Sequence, residues 1–129
     1  MCAAISDTLR RVVYTLTDQP ATNKISLDSS VTNPVTQIPL CTTTLNSILE
    51  EYHVGNNDID LLSIDVEGHE LNVLKSIDLK RYKVKLICVE IHGLDLKDLF
   101  HNQIVELLTK NDYRFVTYFV MNAYFLRQD

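Results

Sequence analysis

One segment, residues 59–76, constrains the fold more than any other part of this sequence. Its apolar run Leu61–Ile64 ends at the carboxylate of Asp65, and apolar residues at helical spacing begin after Glu70. A short buried strand that passes through a loop into a helix is the unit from which α/β sheets are built. Ligands of open α/β sheets bind just beyond the carboxyl ends of the strands. Asp65 and the loop after it therefore occupy a position where chemistry is expected.

The segment 85–92 repeats this pattern, because an apolar run again becomes polar at its end. Its polar residues, Glu90 and His92, are two positions apart and so share one face of a strand. Carboxyl ends of neighbouring parallel strands meet at one edge of a sheet. We therefore expect Asp65, Glu90 and His92 to converge on a common rim, with Glu67 close by.

The remaining periodicity predicts alternating strands and helices. Strands are predicted at 11–16, 25–27, 35–40, 113–120 and 123–127, helices at 42–52, 70–77 and 99–110, and a turn or loop at 18–23. The threonines at 42–44 offer an N-cap for the first helix, and Gly55 stands where a C-cap glycine belongs. A turn at Met121 and Asn122 makes the last two strands antiparallel neighbours. This order predicts an α/β fold with a mostly parallel sheet and an antiparallel last strand, in a single domain over residues 1–129.

Composition excludes several classes of protein. With 129 residues and a net charge of −5, the chain offers no basic stripe for a nucleic-acid backbone. No apolar run is long enough to span a bilayer, and the first residues lack the pattern of a signal peptide. Its three cysteines have no metal-type spacing and are expected to be free thiols. We expect a cytoplasmic protein that binds neither nucleic acid nor membrane.

Several separated blocks resemble the FkbM-type S-adenosylmethionine-dependent methyltransferases. The blocks are Ile-Asp-Val-Glu-Gly-His-Glu-Leu-Asn-Val-Leu-Lys at 64–75, Val-Glu-Ile-His at 89–92, Ala-Ile-Ser-Asp at 4–7, Ile-Pro-Leu at 38–40 and Thr-Thr-Leu-Asn-Ser-Ile-Leu at 43–49. They occur in order and cover nearly the whole chain. The resemblance implies a Rossmann-like class I methyltransferase sheet and methyl transfer, most often to an oxygen of a small-molecule or sugar-type acceptor.

The resemblance also implies S-adenosylmethionine as cofactor. In such enzymes the first strand ends in a glycine-rich loop and the second in an acid that holds the ribose. The match begins at the third strand, and the three glycines form no Gly-x-Gly pattern. We therefore expect a sheet that lacks its first two strands. Ser6, Asp7 and Asp65 match cofactor-binding positions.

A sheet without those strands is expected to bind the cofactor weakly or not at all. It is also expected to form a homo-oligomer or to need a complementing N-terminal segment, because the strand before Asp65 would have an unpaired edge. The alternative to an enzyme is a non-catalytic remnant or assembly module that retains the sheet. A hydrolase of another α/β family is less favoured, because the sequence has no nucleophile elbow.

Methyl transfer to a hydroxyl requires alignment and removal of the acceptor's proton. Histidine is suited to this task when a carboxylate orients it, so we predict His92 as the base and Asp65 or Glu90 as the orienting group. Alternatively, Asp65, Glu67, Glu90 and His92 could bind a divalent cation.

Structural roles are also open for some of these side chains. Asp65 and Glu67 could cap the helix that begins near Glu70, whose amino end favours negative charge. Glu90 lies inside an apolar strand, where a carboxylate needs a partner or a function. His69, at the start of the helix, is expected to be a solvated side chain.

Overall fold

The computed structural model describes residues 4–16, 24–26, 36–56 and 59–128, which contain two four-stranded sheets. In chain order the elements are β1 (Ala4–Ile5), β2 (Arg11–Leu16), β3 (Lys24–Ser26), β4 (Thr36–Thr43), α1 (Leu45–Glu51), β5 (Leu61–Ile64), α2 (Glu70–Lys75), β6 (Leu86–Glu90), a 3-10 turn (Leu99–His101), α3 (Gln103–Lys110), β7 (Tyr113–Phe119) and β8 (Asn122–Arg127). The turn or loop predicted at 18–23 lies outside the described residues. None of the helices described is long and apolar enough to cross a membrane.

The sheet that carries the predicted rim has the strand order β5-β6-β8-β7. β5 and β6 are parallel, with Ile64 opposite Val89, so their carboxyl ends lie side by side. β8 pairs antiparallel with both β6 and β7, as predicted for the last two strands. Their turn is one residue earlier than predicted: Val120 and Met121 have positive φ values of 44° and 67°, a backbone suited to two-residue hairpins, and β8 begins at Asn122.

The other sheet has the order β1-β4-β2-β3. β1 pairs parallel with the end of β4, whereas β2 pairs antiparallel with β3 and β4. Of the six strand pairs described, only β1–β4 and β5–β6 are parallel, so the prediction of one mostly parallel sheet is wrong in its proportions. The difference comes partly from β2–β3 and β7–β8, which are antiparallel pairs of consecutive strands. The antiparallel pairs β2–β4 and β6–β8 join strands that are not consecutive in the chain.

The hydrophobic core forms around the two inner strands of the β5-β6-β8-β7 sheet. Ile87 and Val89 of β6 and Phe125 of β8 are fully buried. Leu74 of α2 and Leu108 of α3 belong to the same cluster. Each such side chain stabilises the fold by about 1.5–3 kcal/mol relative to an exposed position, so β6 is held rigidly and its last residue has a fixed place.

β5 does not fit the prediction of a buried strand. Leu61 is 56% exposed and Ser63 is also exposed, while Ile64 is buried. β5 has one neighbouring strand among the described elements, which leaves its other edge uncovered. The apolar run therefore identified a strand correctly but not its surroundings, because burial depends on the neighbours that the tertiary structure supplies.

The helices follow the predicted positions but are shorter at several ends. Thr44 caps α1, as predicted for the threonines there, since its side chain accepts the amide of Ser47. α1 ends at Glu51 and its C-cap is Tyr52, so the helix stops before Gly55, the predicted C-cap residue. α3 begins at Gln103, after the 3-10 turn, because the Asn102 side chain caps its first amides.

Candidate functional site

Four predicted site residues lie in the chain where β5 and β6 end, and the side chains of three of them come close together. Glu90 is the last residue of β6, and Asp65 directly follows β5. The imidazole Nε2 of His92 lies 3.1 Å from Oε2 of Glu90. Glu67, Glu90 and His92 each contribute one nitrogen or oxygen atom to a group whose members lie within 4.8 Å of one another. We call these three side chains with Asp65 the rim cluster; its geometry is described here, whereas its chemical roles stay predictions.

Glu90 is the least exposed member of the rim cluster. Its side chain is 11% exposed, and its Oε2 atom is buried without a hydrogen-bond partner. Burial raises the pKa of Glu90, and the negative charges of Asp65 and Glu67 raise it further, whereas His92 acts in the opposite direction. The rim cluster is thus a site where negative charge is in excess and where one carboxylate is poorly satisfied.

His92 is the accessible member, with a side chain that is 59% exposed. It lies beyond the end of β6 rather than within the strand that the sequence predicted. An exposed imidazole beside a buried carboxylate can exchange protons with a ligand while the carboxylate stabilises its charged form.

The loop between β5 and α2 brings Glu67 to the rim. Glu67 and Gly68 have φ values of 53° and 94°, a left-handed conformation that is unfavourable for a residue such as Glu67. A single carboxylate oxygen of Glu70 accepts the amide N–H of Gly68 at 2.9 Å and that of Val66 at 3.3 Å. Glu70 is buried, so it holds this loop from inside the protein. Sequence reasoning placed Glu70 only at the helix start and missed this contact.

Helix capping does not account for the acidic residues of the loop. The cap position of α2 is His69, whose side chain makes no capping bond. Among the hydrogen bonds of the described residues, none joins Asp65 or Glu67 to an amide of α2. Asp65 is also exposed, so burial does not require it to have a partner.

Ser6 and Asp7, predicted to contact a cofactor, belong to a separate polar network after β1. The hydroxyl of Ser6 is fully buried, 3.1 Å from Nε2 of His69, and it accepts a bond from Arg10 at 3.2 Å. Asn72 holds the pKa of Asp7 below its usual value, and Ser6 and Arg10 act in the same direction. The network therefore ties the end of β1 to the start of α2.

A cleft of about 290 Å³ lies between β1, α1, β5 and α2. Its walls are mainly apolar, and Asp65 and His69 are its charged or titratable lining residues: Ala4, Ile5, Leu45, Leu62, Ser63, Ile64, Asp65, Val66, His69 and Val73. Asp65 is thus shared between this cleft and the rim cluster. The prediction that His69 is solvated is wrong, because it is half-buried and contacts Ser6. The position of His69, directly after the loop that follows β5, was the sequence signal that could have indicated a role for it in the site.

Comparison with known proteins gives one match. A family model described as the methyltransferase FkbM domain matches residues 4–115, which include every residue of the rim cluster and of the cleft. No curated protein and no solved structure matches the chain significantly.

Proposed function

The chain belongs to the FkbM methyltransferase domain family, and on that premise we propose that it transfers a methyl group from S-adenosylmethionine to a hydroxyl oxygen of a small-molecule or sugar-type acceptor. The observation that carries the proposal is the rim cluster. An exposed His92 lies beside the largely shielded carboxylate of Glu90, at the strand ends where α/β folds bind ligands. Asp65 also lines the cleft.

The cleft fits the methyl donor in its chemistry. Its apolar walls suit a flat heterocyclic base, and the carboxylate of Asp65 suits ribose hydroxyls or a sulfonium charge. The three glycines, Gly55, Gly68 and Gly93, stand singly and form no Gly-x-Gly pattern. Binding is therefore assigned to the cleft residues rather than to a glycine-rich loop.

Proton removal from the acceptor is assigned to His92. The donor, when bound, supplies an electrophilic methyl group and departs as a neutral thioether, so no general acid is needed. The acceptor hydroxyl must lose its proton, and the accessible imidazole of His92 can take it. Glu90, 3.1 Å from Nε2, stabilises the positive charge that His92 then carries. Asp65 lies between the cleft and the rim cluster and orients the two ligands toward each other.

Donor binding is tested by titrating S-adenosylmethionine into isotope-labelled protein while backbone amide shifts are recorded, a method that detects weak complexes. We expect shifts to concentrate on Ile5, Ser63 and Asp65 of the cleft, and the amide of Lys110 at the end of α3 to serve as the reference. Absence of cleft shifts at millimolar donor would contradict the proposed function and favour a non-catalytic module.

The role of His92 is tested by methyl transfer from labelled donor to a panel of hydroxyl acceptors. His92→Asn is expected to lower the rate by about 10²–10⁴-fold, the usual contribution of a general base. His101→Asn is the matched control, because His101 is an exposed histidine that pairs with Asp98 away from the rim. Equal rates for the two variants would remove His92 from the mechanism.

A further inference from the structure

The donor atoms of Glu67, Glu90 and His92 are spaced like the ligands of a metal ion. All three lie within 4.8 Å of one another, and Nε2 of His92 is 3.1 Å from Oε2 of Glu90. Two ligand atoms at right angles around a cation, each about 2.1–2.2 Å from it, are separated by about 3.0–3.1 Å. The observed pair therefore has the spacing of two adjacent positions in a coordination sphere.

We propose that Glu67, Glu90 and His92 bind a divalent cation of the Mn²⁺ or Zn²⁺ class. Two carboxylates favour hard divalent ions, and the imidazole extends the preference to first-row transition metals. His92 and Glu67 are exposed, so the remaining coordination positions are open to water or to an oxygen of a ligand.

The buried oxygen of Glu90 is the second reason for a cation. Oε2 of Glu90 is shielded from solvent and makes no hydrogen bond, which is costly in a folded protein. Its ion-pair neighbour is Nε2 of His92 at 3.1 Å, which is itself a proposed ligand. In the described part of the chain, no lysine or arginine forms an ion pair with Glu90, Glu67 or Asp65. A bound cation would satisfy this oxygen and neutralise the excess negative charge of the rim cluster.

The loop geometry adds a supporting element to the site. Glu67 reaches the other two ligands from a left-handed backbone conformation, and Glu70 holds that loop through the amides of Val66 and Gly68. Glu70 thereby acts as a positioning residue behind Glu67, in the manner of the outer-shell groups that orient metal ligands.

This inference deepens the proposed function. The cation site itself is independent of that function, and only the effect of the cation on methyl transfer rests on it. With Nε2 facing Glu90, the acceptor's proton would be taken by Nδ1. A cation on Nε2 would leave the proton of the neutral ring on Nδ1, which then has no lone pair to accept another. Cation binding and base catalysis by His92 would then exclude each other, and the cation would act as an inhibitor of methyl transfer.

The test is a titration of Mn²⁺ into the full chain, followed by the loss of the electron paramagnetic resonance signal of the free ion. We expect about one ion per chain, and affinity at least about tenfold lower in Glu67→Gln, Glu90→Gln and His92→Asn, since losing even an outer-shell group commonly weakens binding tenfold. Glu106→Gln and His101→Asn are the matched controls, because both residues are exposed in ion pairs outside the rim cluster.

Circular dichroism of each variant separates lost ligands from lost folding, and the exposed position of Glu67 makes Glu67→Gln the safest variant. The absence of binding in the parent chain, or binding that survives all three ligand substitutions, would overturn the cation site. The assay contains no methyl donor and no acceptor, so such a result would leave the methyltransferase proposal intact. Conversely, failure of donor binding would leave a measured cation site standing.

Discussion

Replacement of Glu70 by alanine should destabilise the protein more than expected for an acidic residue in the first turn of a helix, because Glu70 is buried. Glu70→Ala removes the acceptor of the amides of Gly68 and Val66. A hydrogen bond to a charged group contributes about 1.5–3 kcal/mol, and the 3.3 Å bond to Val66 is the weaker of the two. Water can reach the exposed loop and replace part of the loss. The free energy of unfolding should therefore fall by about 2–3 kcal/mol.

Glu70→Gln separates the effect of charge from that of shape. The amide oxygen of glutamine can still accept both bonds, but neutral bonds are weaker, so a loss of about 1 kcal/mol is expected. Urea unfolding followed by far-ultraviolet circular dichroism measures both variants. For a chain of this length, the alanine variant should also lower the melting temperature by about 10 °C.

Glu106→Ala and Glu106→Gln provide the matched controls, because Glu106 forms an exposed pair with Lys110 one turn away on α3. Such a pair contributes about 0.3–0.5 kcal/mol. If Glu70→Ala proved no more destabilising than Glu106→Ala, the loop would not depend on Glu70, and the account of how Glu67 is held at the rim would be refuted.

Three further predictions concern stability. Asn102→Ala removes the cap that accepts the amides of Ile104 and Val105, and should lower the unfolding free energy by about 1 kcal/mol in urea; an unchanged midpoint would contradict the cap. Leu108→Ala opens a cavity at a fully buried position and should lower it by about 2–5 kcal/mol, whereas a loss below 1 kcal/mol would show that α3 packs loosely. Burial raises the pKa of Tyr113 above its usual value of 10.0. The protonated phenol therefore stabilises the folded state fully below pH 10, and this stabilisation is lost as the pH rises through the raised pKa. Tyr113→Phe loses the hydrogen bond to the carbonyl of Val84 and should be about 1 kcal/mol less stable than the parent protein at pH 8. This difference in stability should narrow above pH 10. A difference that stayed constant with pH would contradict the raised pKa of the Tyr113 phenol.

Local features of the fold could be read from the sequence because they depend on near neighbours. The threonine cap of α1, the helical face of α3 and the β7–β8 hairpin follow from spacing and side-chain chemistry within a few residues. Exact boundaries were less predictable. The hairpin turn shifted by one residue to Val120 and Met121, since cross-strand register decides where pairing starts.

The candidate site could be predicted only in part. Strand-end positions pointed to Asp65 and Glu90, and the spacing of two pointed to His92. The bonds of Glu70 to Gly68 and Val66 are local, but they accompany the left-handed backbone of Glu67 and Gly68, which the sequence pattern did not indicate. Position along the sequence could not show that His69 contacts Ser6, 63 residues away, because that contact arises when the ends of β1 and α2 pack together. The burial of β5 was misjudged for the same reason.

The amino-acid sequence by itself determined the order of elements, the acidic and imidazole side chains at the ends of β5 and β6, and the membership of the methyltransferase family. The tertiary structure alone decided which of those side chains is buried and which atoms meet. Periodicity and capping act over a few residues. The burial of Oε2 of Glu90 and the approach of Glu67 to Glu90 and His92 depend instead on how separate strands and loops pack against one another.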